Sequence, residues 1–295
     1  MLPAKADFLI VRNFIPNPQQ DFFSLQPQMI RSVFFILVPV LFFSCSKFSK
    51  LQKSDDLELK KEGAYKYYDK KDFYRASQLL EELVPLLKGT ADAEKAEFLY
   101  AMCQYEQRLL EPAAFYFNYF TETYPRSIYT EQATYMEALS SFENSPVHYL
   151  DQGNTEKAIA SLEHFIEKYP DSEKKEKCET MIKKLNEKLE IKDFENARIF
   201  YQIMEYKAAI IALGNFAKDY PESERKEDAL YFRILAAWKL ARNSTEAKKA
   251  ERFQQTIDFY LNFVDSFPNS KRLKELESVF DNSGSQLAQA KKAKK

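Results

Sequence analysis

Residues Phe117 to Ser127 read FNYFTETYPRS, and the spaced pattern Phe117, Phe120, Tyr124, Pro125, Ser127 returns three times downstream. It recurs as Leu162, Phe165, Tyr169, Pro170, Ser172, then as Leu213, Phe216, Tyr220, Pro221, Ser223, and last as Tyr260, Phe263, Phe267, Pro268, Ser270. Large apolar residues three and four apart lie on one face of a helix. The residue before a proline is pushed out of the α region, so each Pro ends its helix. A serine two places on is a good amino-terminal cap for the next one. Each copy therefore marks where one helix stops and another starts.

An earlier, degenerate copy lacks the Tyr-Pro and places Leu80, Leu83 and Leu87 on the same face. The equivalent positions Leu87, Tyr124, Tyr169, Tyr220 and Phe267 stand 37 to 51 residues apart. That exceeds the ~34-residue tetratricopeptide unit, but the content matches: two helices, an Ala near the start of the second, an aromatic ridge and a terminal Pro. The expected fold is all-α, a right-handed α-solenoid of about five tetratricopeptide-like helix pairs. Each pair buries its apolar stripe against its neighbours and leaves a concave inner surface.

Composition agrees with long helices and narrows the function. Only 5 Gly and 12 Pro accompany 45% hydrophobic and 29% charged residues, too little turn chemistry for the hairpins of an all-β fold. Lys and Arg total 43 against 44 Asp and Glu, so no global field recruits nucleic acid. Aromatic residues make up 15%, which suits ring packing between helices and some surface recognition. Three scattered cysteines build no disulfide framework, and Cys103 and Cys178, inside helical patterns, read as buried structural thiols.

The amino end reads as an address. Val33 to Phe43, VFFILVPVLFF, follows Arg31 and precedes Ser44-Cys45. This run is far short of the ~20 residues a spanning helix needs, but suits the apolar core of a signal peptide. Met29-Ile30-Arg31 makes a compact start for it, so residues 1–28 are expected to be a disordered upstream over-extension and 29–44 the signal peptide. A small residue before Cys at the end of that core resembles a bacterial lipobox, which makes Cys45 the expected lipid attachment site. An ordinary signal peptide with an incidental Cys is the competing reading. Acyl chains on Cys45 hold a protein at a membrane at ~0.8 kcal/mol per buried CH₂. No retention Asp follows the Cys, so the expected place is the outer membrane, facing the periplasm. Residues 45–54 are expected to be a tether.

The repeat domain is expected over 55–270, with pairs at about 55–88, 91–125, 127–170, 172–221 and 223–268. In the first pair, Asp69 to Asp72 is a short polar turn. In the third, Asn144 to Asn154, NSPVHYLDQGN, is a longer loop. In the fourth, Glu173 to Glu205 has neither Pro nor Gly and reads as one long or kinked helix. Residues 271–295 are expected to be a short helix and then a disordered basic tail.

Signals of catalysis are weak. No glycine-rich phosphate loop exists, and the two histidines, His148 and His164, fall in a loop and on a helix. Acid pairs such as Asp55-Asp56 and Glu81-Glu82 read as solvated helix faces rather than an acid/base couple. No catalytic residue, metal site or cofactor is assigned, and a binding scaffold remains.

Several features together resemble the BamD family of outer-membrane protein assembly lipoproteins. A lipoprotein Cys is followed by KFSKLQKSDDLELK and then Ala64-x-x-Tyr67-Tyr68-x-x-Lys71-Asp72-Phe73-x-x-Ala76. Tyr149 to Ala158 looks like an inter-helix loop of one branch of that family, and Phe194 to Tyr201 with Tyr206 to Ala209 is similar to its long fourth-repeat helix and the helix after it. The resemblance implies a non-enzymatic subunit of the β-barrel assembly machine. Its carboxyl-terminal repeats would dock on a BamA-like barrel protein, and its amino-terminal groove would hold unfolded outer-membrane protein substrates. Mapped here, Tyr65, Tyr67, Tyr68, Phe73, Tyr100 and Tyr105 are the candidate groove residues, although packing between helices would also explain most of them. A periplasmic tetratricopeptide lipoprotein serving another envelope complex, in cell division or polysaccharide export, is the alternative.

Overall fold

A computed structural model describes residues 47–292. The expected over-extension, the signal peptide, Cys45 and the last three residues lie outside the described residues. Every regular element described is a helix. The order is α1 (Leu57–Asp69), α2 (Phe73–Leu86), α3 (Ala93–Glu106), α4 (Leu110–Thr123), α5 (Thr130–Glu143) and α6 (Gly153–Lys168), then α7 (Lys175–Gln202), α8 (Tyr206–Asp219), α9 (Lys226–Arg242), α10 (Glu246–Ser266) and α11 (Leu273–Lys292). The chain divides into two compact units, one through Leu83 and one from Val84.

In the first unit, Asp56 caps α1 by accepting from the Leu59 backbone N–H at 3.0 Å. Ala64 of α1 and Ala76, Leu79, Leu80 and Leu83 of α2 are fully buried. Residues 47–52, expected to belong to a tether, are instead helical. Phe48 and Leu51, three apart, explain the difference. Phe48 is buried edge-on against Tyr67 with centroids 5.6 Å apart, and the Leu51 side chain fills the space that a Cβ on Gly63 would need.

In the second unit each helix from α3 onward packs on its neighbours in the chain, and α9 also reaches α7 and α11. This nearest-neighbour stacking of helix pairs is what builds an α-solenoid. The repeated motif forms its core. Phe117, Leu162 and Leu213 are fully buried and Tyr260 nearly so, while Phe120, Phe165, Phe216 and Phe263 each tilt against the aromatic ring four residues on at 5.0–5.4 Å. The proline rule acts as expected: Tyr124, Tyr169, Tyr220 and Phe267 cap their helices at φ −120 to −135° and ψ 61 to 69°.

The serines do something different from capping the next helix directly. Ser127, Ser172, Ser223 and Ser270 accept from the backbone N–H two residues on, at 2.9–3.2 Å, and so cap a tight turn that leads into the helix. Three of them also donate across the stack, Ser172 to Glu131, Ser223 to Glu190 and Ser270 to Glu227, at 2.6–2.8 Å. The residue two places after each of these serines is basic and pairs with the same region: Lys174 with Glu131 at 3.6 Å, Arg225 with Glu190 at 3.0 Å, Arg272 with Asp228.

The turns within pairs also repeat. Lys71, Arg108 and Met204 take left-handed backbone with φ 60–65°, each two residues before the second helix begins. Glycine is the usual occupant of that position.

The carboxyl end departs from expectation. Residues 273–292 form one helix rather than a short helix with a disordered tail. Its low-complexity composition hid a stripe at helical spacing, Leu276, Val279, Ser283, Leu287 and Ala290, all buried. Tyr260 tilts against Phe280 at 4.7 Å, Trp238 donates to Asn282 at 3.0 Å, and Tyr231 donates to Glu275 at 2.7 Å.

Candidate partner-binding surfaces

The six aromatic residues proposed to line a groove separate between the units. Tyr65, Tyr67, Tyr68 and Phe73 belong to the first. There Tyr68 and Phe73 meet edge-on at 5.6 Å across the α1–α2 turn, and Tyr67 is held between Phe48 and the Arg75 guanidinium, 5.8 Å from its centroid. All four are half-buried, so they combine packing with accessible ring area. Tyr100 and Tyr105 belong to the second unit. Tyr100 is buried against Tyr116, with centroids at 4.8 Å, and works as core. Tyr105 donates to Glu143 at 3.0 Å, and the same carboxylate receives Arg108 at 2.5 Å. Desolvation and that carboxylate push the Tyr105 phenol up to about 12.

The second unit carries a surface that the sequence did not single out. The loop after α5 is locked by its own polar groups. Buried Gln152 donates to the carbonyls of Val147 and Leu150 at 2.9 and 3.0 Å and accepts from Thr155 at 2.7 Å; the Thr155 hydroxyl also shares a 2.6 Å hydrogen bond with Ser145. Two lysines of α7 clamp it from below. Lys188 reaches the Ser145 hydroxyl at 2.6 Å, with burial pulling its pKa down, and Lys192 reaches the Leu150 carbonyl at 2.5 Å.

On this rigid platform apolar side chains face solvent. Tyr149 is 74% exposed, and Val147, Leu150, Ile199 and Ile203 are also exposed. His148, Tyr149, Lys192, Glu195, Asn196, Ile199 and Gln202 line an open cavity of about 320 Å³. Ile203 continues the face of Ile199 one turn on, and Met204, 71% exposed, follows in the left-handed turn. Such a cluster of exposed apolar residues on a fixed backbone is the composition of a protein-docking surface. The available signal was Ile199 and Ile203, four apart but off the stripe of Phe194 and Ala197 that faces the core.

Nothing in the second unit assembles catalytic chemistry from the residues weighed above. His164 is exposed on α6, and Cys103 and Cys178 are buried free thiols, with burial pushing Cys103 up to about 12. Among the described residues no group of three or more His, Cys, Asp or Glu is arranged to hold a metal ion.

A family model, YfiO, described as outer membrane lipoprotein, matches residues 55–211 and again 194–292. The chain belongs to the YfiO family. Both stretches that carried the BamD resemblance downstream of the amino end, Tyr149 to Ala158 and Phe194 to Ala209, fall inside the matched region. No curated protein sequence matches the chain. Among solved structures, the crystal structure of the P58(IPK) TPR domain is similar at 14% identity and a TM-score of 0.38, covering 82% of this chain and 68% of that one. Membership of YfiO, an outer membrane lipoprotein family, places the chain in the cell envelope. No helix among the described residues is long and apolar enough to cross a membrane.

Proposed function

We propose that this YfiO-family chain is a lipid-anchored, non-enzymatic subunit of the outer-membrane β-barrel assembly machinery. Cys45 carries the lipid, and the protein faces the periplasm. The carboxyl-terminal repeats dock on a BamA-like barrel protein, and the accessible rings of the amino-terminal pair hold segments of unfolded outer-membrane proteins. The observation that carries this reading is the family match, which takes in every helix from α1 to α11. The docking face we favour is the locked loop with the adjoining side of α7, because preformed apolar anchors bind a partner without an ordering cost.

The test is affinity purification of the mature protein from membranes. A BamA-like barrel protein is expected to co-purify, and replacing Tyr149 by Ala together with Ile199 by Asp is expected to cut its recovery by about tenfold or more. The helical circular dichroism of that variant should match the parent, since both side chains face solvent. Recovery of the intact protein with no barrel protein attached rejects the reading.

A further inference from the structure

The first unit has an open groove of about 540 Å³ whose lining includes Lys47, Lys50, Lys66 and Lys70, with Glu62 as its one carboxylate. All four lysines are exposed, and none has an ion-pair partner among the described residues. Their neighbours in the same unit are paired: Lys60 with Glu82 at 2.7 Å, Lys61 with Glu58 at 2.8 Å, Arg75 with Asp72 at 2.7 Å. These three are neutralised within the unit, whereas the four groove lysines converge on one opening; Lys53 and Lys71, also without an ion pair among the described residues, lie outside its lining. Leu59, 51% exposed, supplies an apolar part of the lining.

The position of this groove along the chain says what meets it. Phe48 and Leu51 dock residues 47–52 onto α1 and α2, so Lys47 and Lys50 are held rather than trailing. Cys45 is two residues before Lys47, and two Cα–Cα steps span at most ~7.6 Å. A lipid on Cys45 therefore brings a bilayer surface within about one Debye length, ~8 Å, of Lys47 at the edge of the groove. Lysine ammonium groups at that distance attract anionic headgroups, and the exposed leucine matches the boundary between headgroup and acyl chain.

We propose that the groove of Lys47, Lys50, Lys66 and Lys70 seats the phosphate headgroups of an anionic bilayer, as a second membrane contact beside the acyl chains. The proposal rests on the reading of Cys45 as the anchor. It makes the anchor a two-signal attachment that also orients the first unit, with Tyr67, which lines the groove, close to the lipid surface.

The experiment uses the mature lipidated chain carrying Ser54→Cys, a groove position, labelled with an environment-sensitive dye. Cys103 and Cys178 are buried and the Cys45 thiol is blocked by lipid, so the dye reports from one place. The protein is reconstituted in phosphatidylcholine vesicles with or without phosphatidylglycerol, each containing a headgroup-nitroxide quencher. Quenching is expected to be several-fold stronger with phosphatidylglycerol. It should fall to the neutral-vesicle level in about 0.5 M NaCl, where the Debye length is roughly 4 Å, and in K47Q/K50Q/K66Q/K70Q. Equal quenching on both vesicles, insensitivity to the four substitutions, or reproduction of the change by inorganic phosphate on neutral vesicles overturns the proposal. Flotation with neutral vesicles reports the anchor separately. If it fails, the Cys45 reading falls; Cys45→Ser is then added so that Ser54→Cys remains the one accessible thiol, and charge-dependent quenching of that chain on anionic vesicles still decides the groove.

Discussion

Glu97 is a carboxylate where the fold has little use for one. It is 2% exposed on α3, and its Oε1 has no hydrogen-bond partner among the described residues. Burial pushes its pKa above 4.5, against the Tyr124 hydroxyl and Lys88, which pull it down. A folded value above the unfolded one means that the fold favours the protonated form. That contribution is fully present below about pH 4.5 and is lost as pH rises through the folded value. Glu97→Gln cannot ionise, so its urea midpoint relative to the parent is expected to be higher at pH 7 than at pH 4. A second residue, Met204, holds a left-handed backbone while its side chain faces solvent. Glycine there avoids the Cβ penalty, so Met204→Gly is expected to raise unfolding stability by about 1 kcal/mol. If Met204 extends the docking face, the same change lowers recovery of the barrel partner, and the two measurements together separate stability from binding.

Among elements, the inter-pair turns show what could be read and what could not. The Tyr-Pro stops were legible because proline acts locally, on the residue before it. The second task of the serines was not, since Ser223 donates to Glu190 33 residues away and Ser270 to Glu227 43 away. A basic residue two places after Ser172, Ser223 and Ser270 stands in plain sight in the chain, but its meaning depends on an acid in another helix. Ser223→Ala removes both a turn cap and a bond across the stack, and is expected to cost about 1–2 kcal/mol. Ser127 caps its turn through Tyr129 and makes no bond to a carboxylate among the described residues, so Ser127→Ala should cost less, about 0.5–1 kcal/mol. Thermal unfolding of the two variants side by side checks the order. The α11 stripe was missed for a related reason: Ser283 and Gly284 look like linker composition until Val279 and Leu287 on either side are seen to share one face.

For the molecule as a whole, helix content and repeat order were legible from a four-fold motif, whereas the binding surfaces were not, because exposed residues carry no periodic signature of burial. Tyr149 and Ile199 become a pair only once the loop is laid on α7. Two measurements bear on this scale. Metabolic labelling with palmitate is expected in the parent and absent in Cys45→Ala; label that survives the substitution removes the anchor. Ending the chain before Leu273 uncovers Tyr231, Ile234, Tyr260 and Phe263. In a nearest-neighbour stack that loss should speed amide exchange in α9 and α10 while leaving α4 to α6 protected. The longest helix sets a different kind of constraint. α7 runs 28 residues without interruption, ~42 Å at ~1.5 Å per residue. The loop bearing Tyr149 is bolted to it through Lys188 and Lys192, and the turn at Ser223 and Arg225 through Glu190. All three attachment points sit on one stiff strut with no joint between them, so a push on the loop is delivered to the following repeat as displacement rather than absorbed as flexing.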